Sequence, residues 1–69
     1  MSQNTPVSLE KQLACAKREL GLRRTVYPRW VEAGKMTQGA ANDELDSMRA
    51  ICETLRELVK QNKSLPLFN

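Results

Sequence analysis

The sequence predicts an all-α fold, an antiparallel two-helix hairpin that dimerises into a four-helix bundle. Two long segments space their apolar residues in alternating steps of three and four, as one face of a helix does, and no strand-like alternation competes with this pattern. Gly34 and Thr37 separate the two segments, so the connection between the helices is short. A connection of this length makes consecutive helices antiparallel neighbours.

The chain has 69 residues, which is short for a monomer that must bury its own core. Two cysteines and no histidine are too few for a secreted disulfide framework or for a four-ligand zinc site, so we expect no metal and no cofactor. The start of the sequence lacks the apolar run of a signal peptide, and no stretch reaches the roughly 20 apolar residues of a membrane span. We therefore expect a protein of the cytoplasm that gains its stability by oligomerisation.

Helix one is predicted over about residues 8–33, after a flexible lead at residues 1–7. Its start is either Thr5 with Pro6 as the first helical residue or Ser8 as the N-cap. Pro28 predicts a kink near Arg24–Pro28 or a break, and Gly34 supplies the stop. The helical stripe consists of Leu9, Leu13, Ala16, Leu20, Arg23, Tyr27 and Trp30. Arg23 is its only polar residue, and Leu22 and Val26 widen it.

Helix two is predicted over about residues 37–63, after a turn at 34–37, and an apolar tail at 64–69 follows it. Thr37 is the expected N-cap. Asp43, Glu44 and Asp46 are expected in the first turns, where negative charge favours the helix dipole. The stripe of this helix consists of Ala41, Leu45, Met48, Cys52, Leu55 and Val59.

The second helix is apolar at three positions per heptad, because Ile51 and Leu58 widen its stripe. A single partner helix covers only a narrower seam, so the surplus needs a second hairpin. The predicted dimer core consists of Leu13, Leu20, Leu45, Met48, Ile51, Leu55 and Leu58.

Two cysteines, Cys15 and Cys52, lie on opposite helices at similar distances from the turn. We interpret both as small core residues. Neither has a flanking redox motif or a histidine that could activate it, so a redox role has little support.

The first half of the chain is basic, since residues 8–35 hold seven basic and three acidic residues, whereas residues 36–69 hold four basic and five acidic. Aromatic and arginine residues, which dominate interface hot spots, concentrate near the turn. Tyr27 and Trp30 either plug the turn end of the hairpin or anchor a partner. The predicted partner-binding surface consists of Arg23, Arg24, Tyr27, Arg29 and Trp30, with Asp43 and Asp46 across the turn.

An open helical hairpin has no pocket for paired-carboxylate catalysis, so we expect no enzyme. A basic face that includes Lys17, Arg18 and Arg24 keeps open a nucleic-acid-binding or regulatory role, although no recognition motif is present and direct nucleic-acid binding is not the first expectation.

Two segments of the sequence are distinctive, namely Leu13-Ala14-Cys15-Ala16-Lys17-Arg18-Glu19-Leu20 and Tyr27-Pro28-Arg29-Trp30-Val31-Glu32-Ala33-Gly34-Lys35-Met36-Thr37. Through these segments the chain resembles short phage and prophage proteins, over roughly residues 9–59. Within that set, its length and layout are similar to the quorum-sensing anti-activator family of Pseudomonas phages. The resemblance implies a dimer of hairpins in the bacterial host cytoplasm that blocks DNA binding by a LuxR-type activator. It also implies inhibition of the ATPase that assembles type IV pili, and hence superinfection exclusion. A structural phage component is a third possible function, beside the inhibitor and the nucleic-acid-binding protein.

Overall fold

The computed structural model describes residues 6–64, and this range contains two α-helices and no strand. The first helix, α1, spans Leu9–Glu32, and the second, α2, spans Gln38–Ser64. The two helices pack against each other, which confirms the predicted all-helical hairpin. Most of the predicted lead and tail, residues 1–5 and 65–69, lies outside the described residues.

Ser8 is the N-cap of α1, and Pro6 precedes the helix. The backbone of Ser8 is extended, and its hydroxyl accepts a hydrogen bond of 3.1 Å from the Lys11 N–H. This bond satisfies one of the N–H groups that a helix start leaves without a partner. The side chain of Gln12 adds a second tie, since its amide donates to the Val7 carbonyl at 2.9 Å.

Pro28 lies inside α1, and the helix continues past it to Glu32. Of the two expected outcomes at this position, the break is therefore wrong. Proline has no N–H to donate to the Arg24 carbonyl. The side chain of Pro28 is exposed, so its ring does not have to be accommodated in the core.

Gly34 ends α1, as predicted, with a φ of 76°. The Gly34 N–H donates to the Val31 carbonyl at 3.0 Å, and the Lys35 N–H donates to the Trp30 carbonyl at 2.8 Å. Together these bonds form a Schellman motif, in which a left-handed residue satisfies the last carbonyls of a helix. The chain then enters α2 through Thr37, the predicted N-cap, whose hydroxyl accepts from the Ala40 N–H at 3.0 Å.

The acidic residues of α2 do not lie where the dipole argument placed them. The first turn of α2 contains no acidic residue, and Asp43 is already the sixth residue of the helix. Since the favourable effect of the dipole falls off within the first turn, that explanation of Asp43, Glu44 and Asp46 is wrong. Glu44 instead contacts α1, as described below.

The core of the hairpin is a small cluster of buried residues along the seam between the helices. Half-buried Leu45 and Leu55 pack against it, while Ala41 and Val59 are buried towards the two ends of α2. Leu13 is half-buried. The members of the cluster are Ala16, Leu20, Met48 and Cys52.

The two cysteines have different environments. Cys52 is 2% exposed and is part of the core, as expected, but Cys15 is exposed in the hairpin, so the expectation that it belongs to the hairpin core is wrong. Successive helical residues are about 100° apart, and it is the next residue, Ala16, that faces α2.

Candidate binding surfaces

Large apolar side chains are exposed on one face of the hairpin, called here the apolar face. On α1, Leu22 is 61% exposed and Trp30 is 45% exposed, and Val26 lies between them at a step of four residues from each. On α2, Ile51 is 47% exposed and Leu58 is 40% exposed. The α1 residues form one row and the α2 residues another, because positions three, four or seven apart are neighbours on a helix surface. The two rows border grooves that share Glu19, so they lie on the same side of the seam. Burial within one hairpin therefore leaves apolar area uncovered.

The larger of two grooves on this face, of about 770 Å³, lies between the helices in the half of the hairpin away from the turn. We call it the open-end groove. Ile51 and Leu58 are each three residues from one of its α2 residues, so they stand beside it. It is lined by apolar and by charged side chains, namely Val7, Cys15, Ala16, Met48 and Leu55, the charged Lys11, Arg18 and Glu19, and Gln12.

The smaller groove, of about 260 Å³, lies on α1 in the half nearer the turn and is called here the turn-half groove. The rings of Tyr27 and Trp30 are 5.7 Å apart with an interplanar angle of 32°, and the Arg23 guanidinium lies 5.9 Å from the centre of the Tyr27 ring. Tyr27 is half-buried and packs, whereas nearly half of Trp30 is open to solvent. The residues that line this groove are Glu19, Leu22, Arg23, Val26, Tyr27 and Trp30.

An ion-pair cluster around Arg23 ties the helices together at the margin of both grooves. Arg23 Nε lies 2.8 Å from Glu19 Oε2, and Arg23 Nη1 lies 3.2 Å from Glu44 Oε1 and 3.4 Å from the Glu44 carbonyl oxygen. The hydrogen bond with Glu19 raises the pKa of Arg23 above its ordinary value, and the charges of nearby Tyr27 and Glu44 make smaller contributions in the same direction. Arg23 therefore stays charged, and it occupies the position at which the apolar stripe of helix one is interrupted.

The predicted partner-binding residues do not form one continuous surface. Arg23, Tyr27 and Trp30 come together in the turn-half groove. Arg24 is six residues from Trp30, which places it about 120° away around α1, and Arg29 is about 100° away from Trp30. Both arginines are exposed.

The two predicted acidic residues lie on α2 away from the turn-half groove. Asp46 pairs with Arg49 on its own helix at 2.8 Å. Asp43 is exposed and lies three residues earlier, on the same outer side as Asp46. No contact in the described residues joins either of them to the arginines of α1.

Glu19, Leu22, Val26 and Glu44 were missed as site residues by the sequence reasoning. Leu22 and Val26 had been assigned to a widened packing face. Their steps of four residues towards Trp30 were a signal of a second apolar stripe, displaced from the one that faces α2. The ion pair between Arg23 and Glu44 had no such signal, because it depends on the alignment of the two helices.

The rest of α2 is polar on its outer side. Arg56 pairs with Glu53 at 3.0 Å, and Lys60 lies 3.7 Å from Glu57. These are contacts within one helix between exposed side chains, and each is worth well under about 1 kcal/mol. They mark a solvated side, in contrast to the apolar face.

No protein-family model, curated protein or solved structure matches this chain. Within residues 6–64 there is no group of cysteine and carboxylate side chains suited to holding a metal ion. None of the helices in that range has the length and apolar character needed to cross a membrane.

Proposed function

We propose that this chain is a non-enzymatic phage protein that forms a homodimer of helical hairpins and inhibits host proteins by binding them. The observation that carries the proposal is the apolar face, on which Leu22, Trp30, Ile51 and Leu58 stay exposed although α1 and α2 are packed together. An exposed apolar surface of this kind is typical of a protein interaction site and not of the surface of a monomeric protein.

The second hairpin covers the α2 side of the apolar face, around Ile51, Leu58 and the open-end groove. Met48 and Leu55 line this groove, and Ile51 and Leu58 stand beside it at 47% and 40% exposed, so a second hairpin placed there completes an apolar core between four helices. Two hairpins stacked in this way form a four-helix bundle.

The proposed targets come from the resemblance to the phage anti-activators, carried by the segment from Tyr27 to Thr37. By that resemblance the dimer acts in the bacterial cytoplasm, where it prevents a LuxR-type activator from binding DNA. It also inhibits the pilus-assembly ATPase and thereby excludes a second phage. Trp30 supports protein binding independently, because it is a half-exposed aromatic residue of the type that dominates interface energies.

Light scattering tests the dimer, and a mobility-shift assay tests the target. We expect about twice the chain mass of 7.8 kDa at micromolar concentration, and loss of the shift of operator DNA by a LuxR-type regulator when the protein is added. Ile51→Lys should dissociate the dimer, whereas Ala50→Lys, an exposed neighbour about 100° away, should not. A compact wild-type monomer would refute the four-helix bundle, and an unchanged DNA shift would refute the proposed target.

A second candidate function, nucleic-acid binding, is favoured by one alignment of charges. Lys11, Arg18 and Arg29 are seven and eleven residues apart, so they lie within about 20° of one line along the outer side of α1. All three are exposed and make no ion pair within residues 6–64. Binding to phosphates weakens steeply as salt rises, whereas an interface centred on Tyr27 and Trp30 should respond much less. A salt titration of binding separates the two functions.

A further inference from the structure

We propose that the turn-half groove of α1 is a docking site for an acidic amphipathic helix of a partner protein. This inference rests on the proposed function, in which the chain acts by binding proteins, and it assigns the surface and the chemistry of the partner. The open-end groove and the α2 side of the apolar face remain with the second hairpin. The argument depends on the spacing of apolar side chains, the charges at the groove's edge and the Arg23 ion pairs.

The apolar lining of the groove has the spacing that a partner helix requires. Leu22, Val26 and Trp30 follow one another at steps of four residues, so their positions are about 6 Å apart along α1. A helix that lies along this row presents its own apolar residues at i, i+4 and i+7 at a similar spacing, which is the usual form of helix-in-groove recognition. Trp30, 45% exposed, supplies the large aromatic surface on which such sites depend.

The charges around the groove indicate that the partner helix is acidic. Arg18 is four residues from Leu22, and Arg29 is three residues from Val26, so both arginines lie on the outer side of the apolar row, about 16 Å apart along the helix. Neither lines the turn-half groove itself, and Arg18 lines the open-end groove. Neither arginine has an ion-pair partner among the described residues. Carboxylates beside the apolar residues of a docked helix would meet both arginines, and charge complementarity of this kind sets specificity and the rate of encounter.

The Arg23 cluster argues against a second copy of this chain in the turn-half groove. Glu19 and Arg23 line the groove, and Glu44 binds Arg23 from α2. Arg23 lines this groove and not the open-end groove, and a second hairpin laid over it would take the Arg23–Glu44 pair out of water, at a cost in free energy. A two-fold copy placed groove to groove with the two α1 helices antiparallel would also bring the arginine edges of both protomers together.

Trp30 is the only tryptophan of the chain, so its fluorescence reports on the groove directly. The probe is a designed peptide of about 18 residues, long enough to be helical, with leucines at i, i+4, i+7 and i+11 flanked by glutamates and without tryptophan. A matched peptide carries lysines in place of the glutamates. We expect the acidic peptide to shift the Trp30 emission and to bind the full-length protein at least about tenfold more tightly than the basic one, about 1.4 kcal/mol.

Three variants test the assignment. Leu22→Ser and Arg29→Glu should each lower the affinity for the acidic peptide by about tenfold or more, about 1.4 kcal/mol. The helicity and the dimer mass of both variants should be unchanged. Lys17→Glu is the matched control, because Lys17 is exposed and lies about 140° from Leu22, and it should change affinity less than about twofold.

The proposal is overturned if the wild type does not distinguish the two peptides, or if all three variants bind the acidic peptide alike. It is also overturned if Leu22→Ser gives a monomer, since a second copy of the chain would then occupy the groove. Displacement of the peptide by duplex DNA would overturn it as well, because the groove would then bind any polyanion. A wild-type dimer that blocks the regulator but ignores the peptide refutes only this inference. Peptide binding without that block refutes only the proposed target.

Discussion

Replacement of Gly34 by alanine should destabilise the protein, although the added methyl group meets no other atom. A Cβ at Gly34 finds nothing within 4 Å, so the effect is purely one of backbone conformation. The φ of 76° lies in the left-handed region, which costs an L-residue about 1–2 kcal/mol. Alanine also restricts the unfolded chain, which returns about 0.4–1 kcal/mol. The expected net loss is about 1 kcal/mol per chain.

Gly21 provides the matched control for this prediction. It lies in the middle of α1, and a Cβ there also meets nothing within 4 Å. Because alanine is the better helix former, Gly21→Ala should stabilise the protein by about 0.8–1 kcal/mol. The same chemical change in the same chain should therefore have opposite signs at the two sites. Gly34→Asn should lose less than Gly34→Ala, since asparagine tolerates the left-handed region better.

Thermal and urea unfolding followed by circular dichroism measure these differences at one fixed protein concentration. For a chain of this size, 1 kcal/mol corresponds to a change in Tm of about 4–8 °C, so the two alanine variants should differ by about 10 °C or more. If the protein is a dimer, each substitution occurs in both chains, so the change in the free energy of unfolding per dimer is twice the value per chain. If Gly34→Ala is as stable as the wild type, the connection between the helices is not the Schellman turn described above.

Three further substitutions test the packing of the hairpin. Leu55→Asp places a charge at a half-buried position against the core cluster and should remove most of the helicity, and with it the proposed dimer. A folded, helical variant by circular dichroism and light scattering would contradict the packing. Cys52→Ser should cost about 1–3 kcal/mol because the hydroxyl has no buried partner in the hairpin core. Cys15→Ser should cost less, because Cys15 lies outside that core. Urea unfolding in reductant measures both, and the reverse order would show that the wrong cysteine is assigned to the core.

The elements of the hairpin were predictable because their signals are local. Gly34 and Thr37 mark the connection through backbone and capping preferences that need no tertiary information. The helical period identified the buried side of α2, including Cys52. Cys15 is not part of the stripe of helix one, and its interpretation as a core residue depended on the width of the interface with α2, which is not encoded in α1 alone.

The candidate site was predictable only in part for a related reason. Residues close to the turn in sequence were expected to share a surface, but rotation around each helix separates Arg24 and Arg29 from Trp30. The charges on α2 were assigned to the helix dipole from their position in the sequence alone. Their contacts depend on which turn of α1 lies opposite, and Glu44 meets Arg23 because of that alignment.

Arg23 shows how a polar residue in an apolar stripe can set alignment without adding much stability. Its side chain is 24% exposed, and its partners Glu19 and Glu44 are 45% and 54% exposed, so each ion pair is worth about 0.2–1 kcal/mol. Arg23→Met keeps a long apolar stem in the seam and should change the free energy of unfolding by less than about 1 kcal/mol. A double-mutant cycle with Glu44→Gln should give a coupling free energy between Arg23 and Glu44 of about 0.2–1 kcal/mol at low salt, about 50 mM. The coupling should be smaller in about 1 M salt, where charges are screened within about 3 Å. Arg49→Met with Asp46→Asn is the matched cycle within one helix, and it should couple more weakly because it does not join α1 to α2. If Arg23 and Glu44 show no coupling at low salt, their contact does not hold the two helices in this alignment.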